Sequence, residues 1–180
     1  MNMARPIILT LAIPVIGERV LLGFKKQGLG VGYWNGFGGK VEAGESVETA
    51  VRRELTEEAG IVATKMSQQG VVRVVYRDTA EIAKGLGLSS AAVSGEVEIH
   101  VWLVSRFEGQ VRESAEMTPR WFELEAIPYD QMWPDDQYWL PLLIAGKLFE
   151  VNCVFQDERI LLSHTLKELD RRSNAWHNRE

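Results

Sequence analysis

The sequence predicts a single α/β domain, and three observations favour this class. The chain has 180 residues, of which 46% are hydrophobic and 25% are charged, a composition typical of soluble globular proteins with one substantial core. Apolar, β-rich runs recur along the chain and are interleaved with two helical patterns. No repeat, low-complexity segment or linker divides the sequence. We therefore expect residues 1–180 to form one domain.

The N-terminal part predicts a β-hairpin followed by a glycine-rich loop. Residues 7–16 and 19–24 are apolar and rich in β-branched side chains, and Gly17 lies in the turn between them. Residues 28–40 carry repeated glycines. Such a stretch is typical of an irregular loop whose backbone comes close to another group.

The clearest helix follows this loop. Ser46 is a good N-cap residue, Glu48 lies in the first turn, and Gly60 stops the helix after Ala59. Apolar residues between the caps recur at helical spacing and predict one buried face.

The remaining elements are read from shorter patterns. Strands are predicted at residues 71–77, 96–106 and 120–124, a helix at 135–145 that Pro141 should kink or restart, and a terminal hairpin at 148–163. Two segments lack a strong period. Residues 78–95 are expected to form a flexible surface insertion, and residues 166–180 a polar tail with a short, frayed helix.

Charge and cysteine content exclude several classes of protein. The net charge of −5 argues against sequence-independent binding to nucleic acid, which needs a basic face. An anionic ligand in such a protein needs bound cations. The single cysteine, Cys153, cannot form an intramolecular disulfide, and its apolar surroundings predict burial. No signal peptide or membrane-spanning run is present, so the expected location is the cytosol.

Three acids on the first helix form the strongest candidate site. Glu54, Glu57 and Glu58 stand at positions i, i+3 and i+4 and therefore share one face. They form either a solvated acidic face or a site for Mg²⁺ or Mn²⁺, and crowding alone should raise their pKa values. The glycine-rich loop leads directly into this helix, which favours the metal site. Arg53 is placed to orient a carboxylate and to pair with Glu45.

The spacing of these residues resembles the complete Nudix box. The matching positions are Gly39, Glu45, Arg53-Glu54-Leu55, Glu57-Glu58 and Gly60-Ile61. The resemblance implies the Nudix fold, an α/β/α sandwich with a mixed sheet in which the box forms a loop, a helix and a second loop. It also implies metal-dependent hydrolysis of a nucleoside diphosphate linked to another group.

Residue by residue, the resemblance assigns the chemistry to the box. Glu54, Glu57 and Glu58 become metal ligands, and one of them serves as the base, without the sequence deciding which. Gly38 or Gly39 supplies a backbone carbonyl to the metal. Arg53 completes the predicted catalytic set. The bound metal would neutralise phosphate charge and activate a water molecule.

A narrower resemblance points to the substrate. Residues 33–41, 121–122, 127–128 and 132–139 are similar to the eukaryotic MutT-homologue enzymes, within a likeness covering most of residues 7–166. These enzymes hydrolyse oxidised purine triphosphates, such as 8-oxo-dGTP and 2-hydroxy-dATP, to the monophosphate and pyrophosphate, and the resemblance suggests a monomer. Glu116 matches a metal-binding acid of the family, the alternative being a solvated loop residue.

The predicted base pocket centres on two adjacent acids. Asp135 and Asp136 either stabilise a helix N-terminus or contact a purine edge, with one of them protonated near neutral pH. Trp133 either stacks on the base or packs in the core. Asn35 either binds a base edge or serves as a plain turn residue. The remaining predicted substrate-binding residues are Thr10, Lys25, Phe37 and Gly38.

Two departures and two rival functions accompany this prediction. Leu29 stands where the similar enzymes have phenylalanine, and residues 78–95 have no counterpart in them. A first rival is a Nudix hydrolase of ADP-ribose, a dinucleotide, capped RNA or a modified dATP. A second is a non-catalytic Nudix-like binding module, against which the complete set of box glutamates argues.

Overall fold

The computed structural model describes residues 6–89 and 95–170, which form a sheet with helices on both faces. The elements in chain order are β1 (Ile7–Ile16), β2 (Arg19–Lys25), β3 (Trp34–Asn35), α1 (Val47–Ala59), β4 (Ile61–Tyr76), α2 (Ala80–Gly85), β5 (Glu96–Gly109), β6 (Met117–Glu123), α3 (Asp136–Ile144), β7 (Leu148–Phe155) and β8 (Leu161–Leu169). Two 3-10 turns, Leu124–Ala126 and Tyr129–Gln131, precede α3.

The sheet is mixed. Its strand order is β3-β2-β1-β5-β4-β7-β8, and β6 pairs with β2. The pairs β1–β5 and β4–β7 are parallel, and the other pairs are antiparallel. None of the described helices has the length and apolar character that crossing a bilayer demands.

The two faces of the sheet bury separate apolar clusters. Val101 belongs to the cluster that contains Trp139 of α3, whereas its neighbour Trp102 belongs to the cluster that contains Leu55 of α1. Since successive strand residues point to opposite faces, α1 and α3 cover opposite sides of the sheet. The predicted α/β/α sandwich is confirmed.

The caps of α1 explain why this helix forms where the sequence predicts it. The Ser46 hydroxyl accepts a hydrogen bond from the Thr49 amide at 3.1 Å. Gly60 adopts φ 72° and donates its N–H to the Thr56 carbonyl, which ends the helix in the left-handed conformation that glycine tolerates. Leu55, on the apolar face of α1, is fully buried. The acidic residues next to it in sequence are therefore held at the edge of this buried face.

The predicted insertion is partly wrong. Residues 80–85 form α2, in which Ile82 and Ala83 are buried in the cluster beneath α3. The segment 79–89 is therefore packed rather than a flexible surface loop. A two-residue apolar anchor in a short helix leaves no readable period, which is why the pattern missed it. Residues 90–94 of the predicted insertion lie outside the described residues.

Several predicted boundaries also change. β4 begins at Ile61, ten residues before the predicted start, because the long strand β5 supplies a partner for its polar half through several register shifts. β8 continues to Leu169, so residues 166–169 are strand, not the predicted frayed tail, because β7 pairs with them in register. Residues 171–180 of that tail lie outside the description. α3 passes through Pro141 as one helix, without the predicted restart.

Candidate active site

One large cleft gathers nearly all of the predicted site residues. Its volume is about 600 Å³, and its apolar floor comes from β1, β5 and β4, through residues such as Leu9, Ile99 and Val74. Four of the predicted acids border it, namely Glu54, Glu57, Asp135 and Asp136, whereas Glu58 lies outside its lining. We call Glu54, Glu57 and Glu58 the α1 acid cluster, and Asp135 and Asp136 the α3 acid pair.

Arg53 organises one side of the α1 acid cluster. Its guanidinium donates to both carboxylate oxygens of Glu45, each at 3.0 Å, which confirms the predicted pair. A third nitrogen donates to Glu54 at 2.8 Å. The hydrogen bonds from Arg53 lower the pKa of Glu45 and, in return, raise the pKa of Arg53. Glu45 thus holds the Arg53 guanidinium in place, and the guanidinium in turn fixes the carboxylate of Glu54.

Glu54 lies against the backbone of the glycine-rich loop. A Cβ atom at Gly39 would overlap its carboxylate, and one at Gly38 would overlap the Thr10 carbonyl. Gly38 therefore has no room for a side chain because backbone blocks it, and a side chain at position 39 would displace the Glu54 carboxylate. Burial raises the pKa of Glu54 although Arg53 opposes the rise.

Glu58 is the most buried of the three acids. It is 3% exposed, and it accepts hydrogen bonds from the Lys25 ammonium and the Gly38 amide, both at 2.8 Å. Burial raises its pKa to about 6, against the opposing effects of both donors. Lys25 also donates to Glu116 at 3.0 Å. This lysine therefore joins two residues that the resemblance assigns to metal binding.

The α1 acid cluster is not drawn together around one point. Glu57 has a side chain that is 60% exposed and lies 3.4 Å from Arg53. Within residues 6–89 and 95–170, no three His, Cys, Asp or Glu side chains form a ready metal cluster.

The donor set nevertheless fits a hard divalent cation. Carboxylates of Glu54 and Glu57 line the cleft beside Gly38, and carboxylate and carbonyl oxygens are the ligands that Mg²⁺ and Mn²⁺ prefer. In the described part of the chain the Gly39 carbonyl accepts the Thr10 amide at 2.9 Å, whereas no hydrogen bond occupies the Gly38 carbonyl. Of the two carbonyls that the sequence left open, Gly38 has the freer one.

The α3 acid pair is buried, and no cationic side chain among the described residues donates a hydrogen bond to it, although His164 opposes the rise in the pKa of Asp135 electrostatically. Asp135 and Asp136 are 6% and 3% exposed. The Trp139 indole N–H donates to Asp135 at 3.1 Å, and one carboxylate oxygen of Asp136 has no hydrogen-bond partner among those residues. Burial raises the pKa of Asp135 to about 6, and burial together with Asp135 raises the pKa of Asp136 well above its usual range. The pair therefore holds a proton more readily than ordinary acids.

The other predicted pocket residues take distinct positions. Trp133 lines the cleft and packs on Tyr33, with ring centroids 5.5 Å apart. Asn35 also lines the cleft, and its side-chain oxygen accepts the Gly36 amide at 2.9 Å, which leaves its amide nitrogen for another partner. The buried Thr10 hydroxyl borders the same cleft and has no partner in the described structure. Such an unpaired buried group is costly unless a ligand satisfies it.

Phe37 is a wrong prediction. It is fully buried in the cluster beneath α1 and does not border the cleft. Its backbone pairs with Ala12 of β1, which directs the ring under the helix. The glycine-rich loop therefore presents Asn35, Gly38 and Gly39 to the cleft and uses Phe37 to anchor itself.

Several lining residues were not among the predicted site residues. Leu29, which the sequence marked only as a departure from the phenylalanine of similar enzymes, borders the cleft together with Tyr76 and residues 85–87. The alternation of Val72, Val74 and Tyr76 along β4 was a usable signal, because a period of two places all three on one face. No comparable signal marked residues 85–87, since glycine and leucine in a short loop carry no period.

Comparisons with known proteins agree with this geometry. A family model for the NUDIX domain matches residues 8–143. The chain is 38% identical over 161 residues to the oxidized purine nucleoside triphosphate hydrolase of Mus musculus, covering 89% of this chain and 94% of the mouse protein. It is 38% identical over 163 residues to the Danio rerio protein of that name, covering 91% and 96%. A solved MutT protein from Bacillus halodurans superposes with a TM-score of 0.74 at 25% identity, covering 89% of this chain and 97% of that one.

Proposed function

This chain belongs to the Nudix family, and from that membership we propose that it hydrolyses oxidised purine nucleoside triphosphates. The substrates are small molecules such as 8-oxo-dGTP and 2-hydroxy-dATP, and the products are the nucleoside monophosphate and pyrophosphate. One observation carries the proposal: a single cleft is bordered by Glu54 and Glu57 of the Nudix box and by a buried acid pair next to Trp133. The named activity of the mouse and zebrafish relatives supports the same substrate class.

The proposed cofactor is Mg²⁺, with Mn²⁺ as the alternative. When bound, the divalent ion supplies charge neutralisation along the phosphate chain and a lowered pKa for the attacking water. Glu54 and Glu57, with the Gly38 carbonyl, border the cleft and would hold it. Arg53 orients Glu54 through the 2.8 Å hydrogen bond. Lys25 restrains Glu58 and Glu116 at the edge of this group.

The base would bind at the α3 acid pair. A protonated carboxyl donates a hydrogen bond and an ionised one accepts, so a pair that shares a proton can present either pattern. Burial raises the pKa of both Asp135 and Asp136, which supports a shared proton. Trp133 borders the cleft beside them and offers a ring face to the purine. This arrangement supports recognition of both an oxidised guanine and an oxidised adenine.

Initial rates on four nucleotides test the proposal. With Mg²⁺ present, 8-oxo-dGTP and 2-hydroxy-dATP should be hydrolysed faster than dGTP and ADP-ribose, with release of pyrophosphate from the triphosphates. Faster turnover of ADP-ribose would instead favour the first rival function. Absence of metal-dependent release from every nucleotide would favour a binding module.

We also propose that the enzyme works in the cytosol as a monomer without nucleic acid or membrane partners. The net charge of −5 supports the absence of a nucleic acid partner. Light scattering after size-exclusion chromatography tests the oligomeric state, and a mass of twice 20.3 kDa would contradict the monomer.

A further inference from the structure

The segment 79–88, which we call the α2 segment, is firmly attached to the body of the protein. Ile82 is fully buried and Ala83 is 1% exposed. Leu86 and Leu88 pack against the same core cluster. Backbone hydrogen bonds from Leu86 to Ile82 at 3.0 Å and from Leu88 to Ala83 at 2.8 Å tie its C-terminal end to the helix. The segment is therefore able to hold a fixed surface against the cleft.

That surface touches the loop between β2 and β3. The Leu29 amide donates to the Gly85 carbonyl at 3.1 Å. A Cβ atom at Gly85 would come within 3.0 Å of the Leu29 Cα. One residue further on, a Cβ atom at Gly30 would come within 2.9 Å of the Trp133 ring. The loop is thus held between the α2 segment on one side and the proposed base-stacking residue on the other.

The α2 segment also reaches the Nudix box. The Lys40 ammonium donates to the Leu86 carbonyl at 2.7 Å, and Lys40 follows directly after Gly39. Residues 85–87, Leu29 and Lys40 all border the cleft. The segment therefore connects the loop beside Trp133 with the loop that precedes α1.

We propose that the α2 segment is a specificity-determining wall, which holds Leu29 in place and so limits the size of the base that the cleft accepts. This inference rests on the proposed function for the position of the base. The carbonyls of Gly85 and Leu86 accept hydrogen bonds from Leu29 and Lys40. The wall therefore yields less than a free side chain, because moving it would expose Ile82 and break these hydrogen bonds. Bases with a bulky exocyclic group are therefore excluded, and loosening the wall admits them.

Binding measurements test the wall separately from hydrolysis. The probes are α,β-methylene analogues of N6-methyl-dATP and N6-benzyl-dATP, titrated in the presence of Mg²⁺ by calorimetry. The wild-type protein should bind the benzyl analogue about tenfold or more weakly than the methyl analogue. Ile82→Ala should reduce this ratio of dissociation constants by about threefold or more. A failure of the proposed function would appear as missing pyrophosphate release in the hydrolysis assay. The ratio of dissociation constants does not depend on that assay, so the two failures are distinguishable.

Leu21→Ala is the matched control for the core cavity. Leu21 is fully buried like Ile82, but it lies in the other cluster and does not border the cleft. It should lower Tm while keeping the wild-type ratio. A second variant, Gly85→Ala, disturbs the contact with Leu29 without a core cavity and should change the ratio, whereas Ser89→Ala at an exposed position should not. Equal ratios in Ile82→Ala, Gly85→Ala and wild type would overturn the proposal, as would a wild-type ratio near one or an equal change in Leu21→Ala.

Discussion

Glu54 and Glu57 of the α1 acid cluster border the same cleft as the α3 acid pair, but the cluster and the pair differ in how their charge is compensated. Arg53 and Lys25 donate hydrogen bonds to the cluster. The acid pair receives only an indole N–H from Trp139 among the described side chains. Burial raises pKa values in both groups. The pKa of Asp136 rises well above its usual range, whereas the pKa of Glu58, which lies beside Lys25, reaches about 6. Hydrogen-bonded cations partly preserve negative charge in the α1 acid cluster. The α3 acid pair has no hydrogen-bonded cation among the described residues and only the electrostatic effect of His164 on Asp135, so it is protonated more readily.

This difference separates the two tasks of the proposed enzyme. Ionised carboxylates suit the binding of a divalent cation, whereas a shared proton suits the reading of hydrogen-bond donors and acceptors on a base. Removal of an acid from the cluster should therefore abolish chemistry on every substrate. Removal of an acid from the pair should change which substrate is preferred.

The largest effect is expected from Glu57→Gln. Its side chain is 60% exposed, and its one ion pair within the described residues is a 3.4 Å contact with Arg53, so the fold does not depend on it. Loss of a metal-binding carboxylate should lower kcat by about a hundredfold or more, on oxidised and unoxidised purines alike. Pyrophosphate release at saturating substrate, together with Tm, measures both points.

Glu48→Gln is the control for this experiment. The Glu48 side chain is 58% exposed and lies on the same helix. Like Glu57, Glu48 pairs with an arginine four residues away, in this case Arg52. It should retain wild-type turnover. If Glu57→Gln also keeps its kcat, Glu57 is a solvated surface residue and not a metal ligand.

Next in size are Asp135→Asn and Asp136→Asn. Each replaces an exchangeable proton with a fixed amide, so the ratio of kcat/KM between 8-oxo-dGTP and 2-hydroxy-dATP should change by about ten- to a hundredfold, and unequally in the two variants. The inequality follows from their environments, since only Asp135 is bonded to Trp139. Equal, small losses on all purines would show that the pair merely stabilises the start of α3.

The same pair predicts a pH-dependent stability. Burial raises the pKa of Asp135 from 3.8 to about 6. The folded protein therefore binds this proton more tightly than the unfolded chain, so its stabilising effect is complete below pH 3.8 and is lost as pH rises towards 6. Asp135→Asn has no such proton to lose. The unfolding free energy of the variant minus that of wild type should therefore increase by on the order of 1–3 kcal/mol from pH 4 to pH 7.

Urea denaturation at several pH values measures this gain. The exposed residue Asp130, in the turn before α3, provides the control Asp130→Asn, whose difference from wild type should stay constant over the same range. A constant difference for Asp135→Asn as well would mean that the carboxyl is ionised throughout.

The two regions also differ in how far the sequence predicts them. The α1 acid cluster could be placed because its spacing, caps and partner Glu45 lie within one short segment, and the structure confirms the Arg53 pair. That Glu58 turns towards Lys25 could not be predicted, since the contact spans 33 residues. Burial of Asp135 and Asp136 likewise depends on packing between α3 and the sheet. Phe37 shows the same limit, because its burial depends on the pairing with Ala12.

The smallest effect is expected from Arg53→Lys, which tests how the cluster is held. Arg53 bonds both oxygens of Glu45, one oxygen of Glu54 and the Lys40 carbonyl, and an ammonium group cannot reproduce this planar fork. Glu54 should lose its orientation while all three acids remain. We expect the Mg²⁺ concentration for half-maximal rate to rise about two- to tenfold, with a smaller change in KM for the nucleotide.

The neighbouring change Arg52→Lys is the matched control, because Arg52 pairs with Glu48 away from the cleft. It should leave the metal dependence unaltered. An unchanged metal dependence in Arg53→Lys would mean that the backbone of Gly39 alone positions Glu54. The positive charge of residue 53 would then serve only the stability of α1.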